Sequence, residues 1–315
     1  MSNPQINYAA GLLRSGKLIA FPTETVYGLG ANALDPNAVA RIFEAKGRPN
    51  TSPVIVHISD WSMVATVVSS WPDKARILAE KFWPGPLTLV LPKTPAIPDI
   101  VTAGLSTVGV RIPSHPVALA LIAAAQVPVA APSANPFTHL SPTTAEHVRQ
   151  GLDDKVDYIL DGGPCEVGIE STVLSLRGEA PVLLRPGVIS RKQIEDLIGP
   201  ISQAEHEPGG THASPGMHPR HYSPRTPLVL VEEGRVPQRG HGAYLQFAQP
   251  PIEKVREVIA MPSSPAEYAA RLYSMLHDLD ARGYDWIAVE TPAVGIEWEA
   301  VLDRLRRAAS VQMRS

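Results

Sequence analysis

The chain holds one cysteine, Cys165, in 315 residues. That excludes a disulfide framework and a cysteine-rich zinc site, and it sets a reducing, cytoplasmic compartment as the expectation. Long apolar runs are also lacking. The most apolar stretch, 117–125, falls far short of the roughly 20 residues that a bilayer crossing needs, and it reads as a buried helix. The first residues, MSNPQINYAAGLLRSG, show no basic start followed by an apolar run, so no signal peptide is expected. Neither sign of charge dominates: 28 Lys and Arg against 31 Asp and Glu leave a formal charge of −3. A protein that grips nucleic acid along its backbone usually carries a basic surplus. Aromatic residues, which stack on single strands, make up only 6%. No stable nucleic-acid binding and no membrane association are therefore expected.

What the chain does have is proline and a regular alternation of elements. Its 32 prolines are about twice the average usage, and they sit mostly at element ends, which suggests many rigid loops. The length exceeds the roughly 250–300 residues at which single cores stop growing, so two domains are expected. Strand and helix signals alternate from residue 6 to 198. The segment 35–46 shows the logic: Asp35 can cap a helix, Pro36 suits its first turn, and Val39, Ile42 and Phe43 share one face. Buried strands are read at 17–23, 53–58, 87–91, 108–112 and 127–131, with a strand pair at 172–176 and 182–185. The stretch 201–226 is rich in Pro, Gly, His and Ser with no apolar periodicity, and reads as a linker. Beyond it, strands at 228–231, 243–247, 258–261 and 286–290 and helices at 265–282 and 297–307 suggest a parallel, Rossmann-like sheet. The expected division is 1–200, 201–226 and 227–315.

Several near-motifs carry little weight. Gly11–Lys17 nearly matches a phosphate loop, but Leu18 replaces the metal-holding hydroxyl, and the segment follows a helix and opens a strand, the reverse of the required order. His218 and His221 could form half a zinc site, although ordinary loop histidines fit them better.

Four polar clusters sit where strands should end. The first, 22–30 (PTETVYGLG), is dense in hydroxyls and glycines, with one carboxylate; on its own it could be a turn satisfied by Thr side chains. The second, 46–53 (KGRPNTSP), leads to His57 and offers a Lys and an Arg suited to phosphate oxygens, or else a solvated helix end. The third, 106–113 (STVGVRIP), places Arg111 in an apolar strand. A buried Arg needs an anion, either a substrate carboxylate or an internal Asp or Glu. The fourth, 130–135 (AAPSAN) with Ser141, allows close backbone approach and supplies hydroxyls.

Taken in order, the strings KLIAFPTETVYGLG, KGRP, FWPGPLTLVL, STVGVRIP, APSAN, GIESTV and LLRPG closely resemble the YrdC-like family of threonylcarbamoyl-AMP synthases. The string SPGMHPRHYSP, followed by a second α/β unit, resembles the longer, two-domain form. The resemblance implies an α/β fold: an N-terminal YrdC-like domain with a twisted open sheet, a linker acting as a lid, and a smaller C-terminal Rossmann-like domain. It implies a nucleotidyltransferase that converts L-threonine, bicarbonate and ATP, with Mg2+, to threonylcarbamoyl-AMP, pyrophosphate and water. The product would pass to the tRNA threonylcarbamoyl transferase complex.

By the same resemblance, Thr25, His57, Arg111, Ala131 and Ser171 would surround threonine. Arg48, Ser52, Thr107, Ser133, Ser141, Arg185 and Tyr222 would hold ATP, with Lys46, Arg48 and Arg111 as catalytic residues. Ser52 stands where the family usually has a longer amide that contacts the nucleotide. The alternative reading is an RNA-binding or ribosome-maturation module that uses the same cationic cavity.

Overall fold

A computed structural model describes residues 4–178, 180–204, 221–309 and 311–312. Ten strands form the first sheet: β1 (Ile19–Phe21), β2 (Gly28–Asn32), β3 (Ile55–His57), β4 (Leu87–Pro92), β5 (Thr107–Arg111), β6 (Val129–Ala130), β7 (Tyr158–Ile159), β8 (Thr172–Ser175), β9 (Val182–Arg185) and β10 (Ser202–Gln203). Their order is β10-β9-β8-β4-β5-β3-β6-β2-β1-β7, with parallel and antiparallel pairs mixed. The helices around it are α1 (Pro4–Arg14), α2 (Pro36–Lys46), α3 (Val64–Val67), α4 (Asp73–Phe82), α5 (Asp99–Thr102), α6 (Pro116–Ala125), α7 (Ala145–Leu152) and α8 (Arg191–Ile198). The stop and start signals act as expected on α2. The Asp35 side chain accepts from the Asn37 amide, Pro36 opens the first turn, and Gly47 ends the helix in the left-handed region at φ 60°.

Three strands were not read from sequence: β10 and a strand at Val311–Gln312, of two residues each, and the longer β2. Gly28–Asn32 (GLGAN) reads as a turn because glycine is disfavoured in strands. It is nevertheless an interior strand, paired to β1 and β6. The reason is packing: a Cβ on Gly30 would lie 2.7 Å from the Phe21 ring and 2.8 Å from a Val129 methyl. The glycine lets those side chains close over the strand.

The second sheet has five strands: β11 (Leu228–Val231), β12 (Gly242–Gln246), β13 (Glu257–Ala260), β14 (Trp286–Glu290) and β15 (Val311–Gln312). Their order is β13-β12-β14-β11-β15 and every pairing is parallel, which is the Rossmann-like arrangement. Helices α9 (Pro265–Asp280) and α10 (Glu299–Ala308) complete it. Among the described residues, no helix is long and apolar enough to cross a membrane. Residues 205–220, most of the predicted linker and including His218, lie outside the described residues.

The apolar core of the second domain continues into the first. Val26, Leu140 and Ile169 join its cluster, together with Tyr222. At about 1.5–3 kcal/mol for each buried aliphatic side chain, this seam contributes substantially to holding the domains together. Close approach at the seam depends on Gly168, at φ 77°, where an added Cβ would lie 2.6 Å from the Ala269 carbonyl oxygen and from the Ala270 Cα on α9. Gly168→Ala is expected to destabilise the chain by about 1–3 kcal/mol through this overlap and the backbone strain. Thermal unfolding combined with limited proteolysis checks it: unchanged melting and unchanged cleavage would show that the seam is loose there.

Candidate active site

The strand order brings the four polar clusters to one place. Strands β3 and β5 are parallel neighbours, with His57 opposite Arg111. The 130–135 loop is stitched to the first cluster by the Leu29 amide on the Pro132 carbonyl and the Ala134 amide on the Tyr27 carbonyl, each at 2.8 Å. It is stitched to the second by Lys46, whose Nζ donates to the Ser133 carbonyl at 2.6 Å and to the Asn135 carbonyl. The resulting cavity has about 580 Å³ of free space, including its mouth.

Its walls include Thr25, His57, Arg111, Ala131 and Ser171, and also Lys46, Arg48, Ser133, Arg185 and Tyr222. Three of the sequence-predicted residues do not line it. Ser52 accepts from Arg48 Nη2 at 2.7 Å, so it braces a wall residue. Thr107 lines a separate, smaller hollow with Thr88, Leu105 and Val173. Ser141 is fully buried and donates to Glu170 Oε1 at 2.5 Å. Thr23, Gly28 and Glu170 line the cavity without having been assigned a role from sequence, and so does His221, which was weighed only as half of a zinc site. Glu170 was within reach of such a reading, since it precedes Ser171 in the GIESTV string. His221 lies beside Tyr222.

Four cations of this site are almost wholly buried: Lys46, Arg48, Arg111 and Arg185. Solvated helix-end cations, the bland reading of Lys46 and Arg48, are thereby excluded. Burial first, then the neighbouring Arg48, holds the Lys46 ammonium well below its ordinary range. Burial likewise brings Arg48 down to about 10. Each cation is oriented by protein acceptors. Arg48 Nη2 donates to the Pro53 carbonyl at 2.8 Å, and Arg185 donates through Nε to the Ser171 carbonyl at 3.1 Å and through Nη2 to Ser171 Oγ at 3.2 Å. Arg111 Nε donates to the Gly85 carbonyl at 3.1 Å and Nη1 to Thr25 Oγ1 at 3.1 Å.

The anion beside Arg111 is internal. Glu24 Oε1 lies 2.6 Å from Nη2, although the pair lacks the geometry of a hydrogen bond. Thus one side of the guanidinium is balanced by Glu24 and another is turned to the cavity. Several buried polar atoms here, among them Arg48 Nε, His57 Nδ1 and His221 Nδ1, have no hydrogen-bond partner in the protein. Such atoms are uncommon in folded proteins, and their concentration at one cavity marks a place built for a polar ligand. A cluster of cations around a concave space, with hydroxyls and small residues between them, suits a phosphate chain next to a carboxylate.

A family model described as "Telomere recombination" matches residues 11–187. A second, described as "Threonylcarbamoyl-AMP synthase, C-terminal domain", matches residues 189–310. The threonylcarbamoyl-AMP synthase of Pyrococcus abyssi is 42% identical, over 98% of this chain and 95% of its own. The chain belongs to the threonylcarbamoyl-AMP synthase family. The synthase of Bacillus subtilis is 44% identical, over 98% of this chain and 94% of its own. A crystal structure of P. abyssi Sua5 complexed with L-threonine superimposes with a TM-score of 0.90, at 41% identity, covering 97% of this chain and 94% of that one. Family membership over both domains accounts for the YrdC-like first sheet and for the second, Rossmann-like unit.

Within this synthase fold, His57 is neutral at ordinary pH. Burial, and then the Arg111 charge, lowers its pKa from 6.5 to about 3. The unfolded chain takes up a proton as pH falls through about 6.5, while the folded chain does not until about 3. Stability is therefore lost as pH drops across that window and is unaffected above it. His57→Gln should flatten the fall by up to about 1.4 kcal/mol per pH unit. Urea unfolding at pH 7, 6 and 5 measures the slope, and equal slopes in the two proteins would refute a neutral, buried His57.

Proposed function

We propose that this cavity converts L-threonine, bicarbonate and ATP to threonylcarbamoyl-AMP, pyrophosphate and water. The observation that carries the reading is the convergence of Lys46, Arg48 and Arg185 on the same cavity as Arg111 and His57. A substrate with a triphosphate at one end and an amino-acid carboxylate at the other calls for that distribution of charge. The P. abyssi relative crystallised with L-threonine supports the amino-acid end.

In this reading the threonine amine condenses with bicarbonate and loses water to become a carbamate. A carbamate oxygen then attacks the α-phosphorus of ATP, and pyrophosphate leaves. The protein's part is to position reactants and stabilise charge, with no covalent intermediate required. Arg111 takes the threonine carboxylate on the side that Glu24 does not occupy. Thr25, the neutral His57, Ala131 and Ser171 enclose the amino acid. Lys46, Arg48 and Arg185 face the phosphates, whose charge offsets the burial of three cations. Ser133 and Tyr222 flank the nucleotide, while Ser52, Thr107 and Ser141 act from behind the walls.

Magnesium is proposed to enter with ATP, held by its phosphate oxygens. Among the described residues there is no group of three His, Cys, Asp or Glu suited to a metal ion, and both oxygens of Glu170 are engaged by protein donors. The adenylate is then passed to a tRNA-modifying transferase. An RNA-binding module using the same cavity is not favoured, because the full-length relatives are synthases.

The test is incubation of the purified protein with ATP, magnesium, L-threonine and labelled bicarbonate, with serine as control. A labelled adenylate and pyrophosphate that both depend on threonine are expected. ATP turnover indifferent to threonine would overturn the reading. Lys46→Ala is expected to lower kcat by about 10²–10³, as for loss of one charge-stabilising donor, with the KM for threonine little changed. Steady-state rates over a threonine series check it, and a change confined to the threonine KM would move Lys46 to the amino-acid end.

A further inference from the structure

The second domain reaches the wall of the cavity chiefly through one side chain, with Tyr273 beside it. Arg304, on α10, is wholly buried. Its Nε donates to Glu170 Oε2 at 2.8 Å, Nη2 to the Glu170 carbonyl at 3.1 Å, and Nη1 to the Pro186 carbonyl at 2.9 Å. One guanidinium thus grips the residue before Ser171 and the residue after Arg185, while Arg185 itself donates to Ser171. The same guanidinium lies 5.5 Å from the centre of the Tyr222 ring, in cation–π contact.

Glu170 is the one carboxylate among the described wall residues of the cavity. Its oxygens are held by Arg304, by the Tyr273 hydroxyl on α9 at 3.2 Å and by Ser141. Three donors, two of them from the second domain, therefore keep a negative charge turned away from the place where phosphates are proposed to lie.

We propose that Arg304 is a positioning residue for the nucleotide half of the cavity, acting through Glu170 and Tyr222. Without it Glu170 is a buried carboxylate that has lost the one ion-pair partner it has among the described residues. Lys46 and Arg185, which line the same cavity, already feel its charge. Glu170 turns toward them and competes with the phosphates for the same donors. Tyr222, held at φ 61°, loses the cation beneath its ring. Of the threonine half, Thr25, His57, Arg111 and Ala131 make no contact with Arg304 and are left in place, and Ser171 alone adjoins the change. The second domain is thereby a component of nucleotide binding, which a role as a passive prop does not require.

This inference rests on the proposed division of the cavity into threonine and nucleotide halves, so binding is measured apart from turnover. Calorimetry on the full chain uses α,β-methylene-ATP, which cannot transfer its adenylyl group, and L-threonine separately. If the unaltered chain binds neither, the functional reading fails first. If it binds both, Arg304→Leu should weaken the nucleotide analogue by about tenfold or more, within the usual range of coupling between sites, and threonine by less than about twofold. Glu170→Gln added to Arg304→Leu should restore most of the loss, because a neutral amide does not seek Lys46. Arg304→Lys keeps the charge but not the three-way fork; it guards against a leucine variant that does not fold, and should show an intermediate loss. Full nucleotide affinity in a folded Arg304→Leu or Arg304→Lys chain, equal weakening of both ligands, or no recovery in the double variant would each overturn the proposal.

Discussion

Four cations share one buried cavity, and most of the architecture answers the problem this creates. An unpaired charge in a protein interior is costly, and like charges brought together worsen the cost. The fold meets it with backbone carbonyls rather than with a matching set of carboxylates. Ser133 and Asn135 hold Lys46, Pro53 holds Arg48, Gly85 holds Arg111 and Ser171 holds Arg185. Carbonyl dipoles orient these groups while leaving their net positive charge available to an anionic ligand. A full complement of internal carboxylates would have cancelled it.

The two internal carboxylates near the site are used sparingly and asymmetrically. Glu24 balances Arg111 from within the first domain. Glu170 is a wall residue of the cavity, its carboxylate held by Ser141 and by two donors from the second domain. The division explains why the seam between domains is apolar and close. Gly168 lies against the backbone of α9 just before Glu170, so any loosening there is passed to the charge distribution of the cavity within two residues. His221 and Tyr222 belong to the same seam: the His221 amide donates to the Arg307 carbonyl at 3.2 Å. These two wall residues of the cavity are therefore fastened to α10, the helix that carries Arg304.

The elements were legible wherever a signal is local. The Asp35 cap, the Pro36 start and the Gly47 stop of α2 depend on residues within one or two turns of each other, and so does the apolar stripe of α9. The alternation of strands and helices beyond residue 227 was enough to indicate a parallel sheet. Gly28–Asn32 was not legible as a strand, because its glycines are required by Phe21 and Val129, which pack on it from other strands. The short helices at Val64–Val67 and Asp99–Thr102 also escaped, having fewer than two turns over which a period can show.

The sequence by itself determined the residue types at the strand ends, the family they resemble and the order of the two units, since these reside in short strings that can be compared directly. Only the tertiary structure decided which charges meet. Arg111 could have awaited a substrate or paired internally, and the fold places Glu24 beside it. Arg304 and Glu170, 134 residues apart, carry no mutual signal along the chain. Their contact exists because two sheets, each shaped by its own local pattern, pack through a seam that brings α10 against the wall of the cavity.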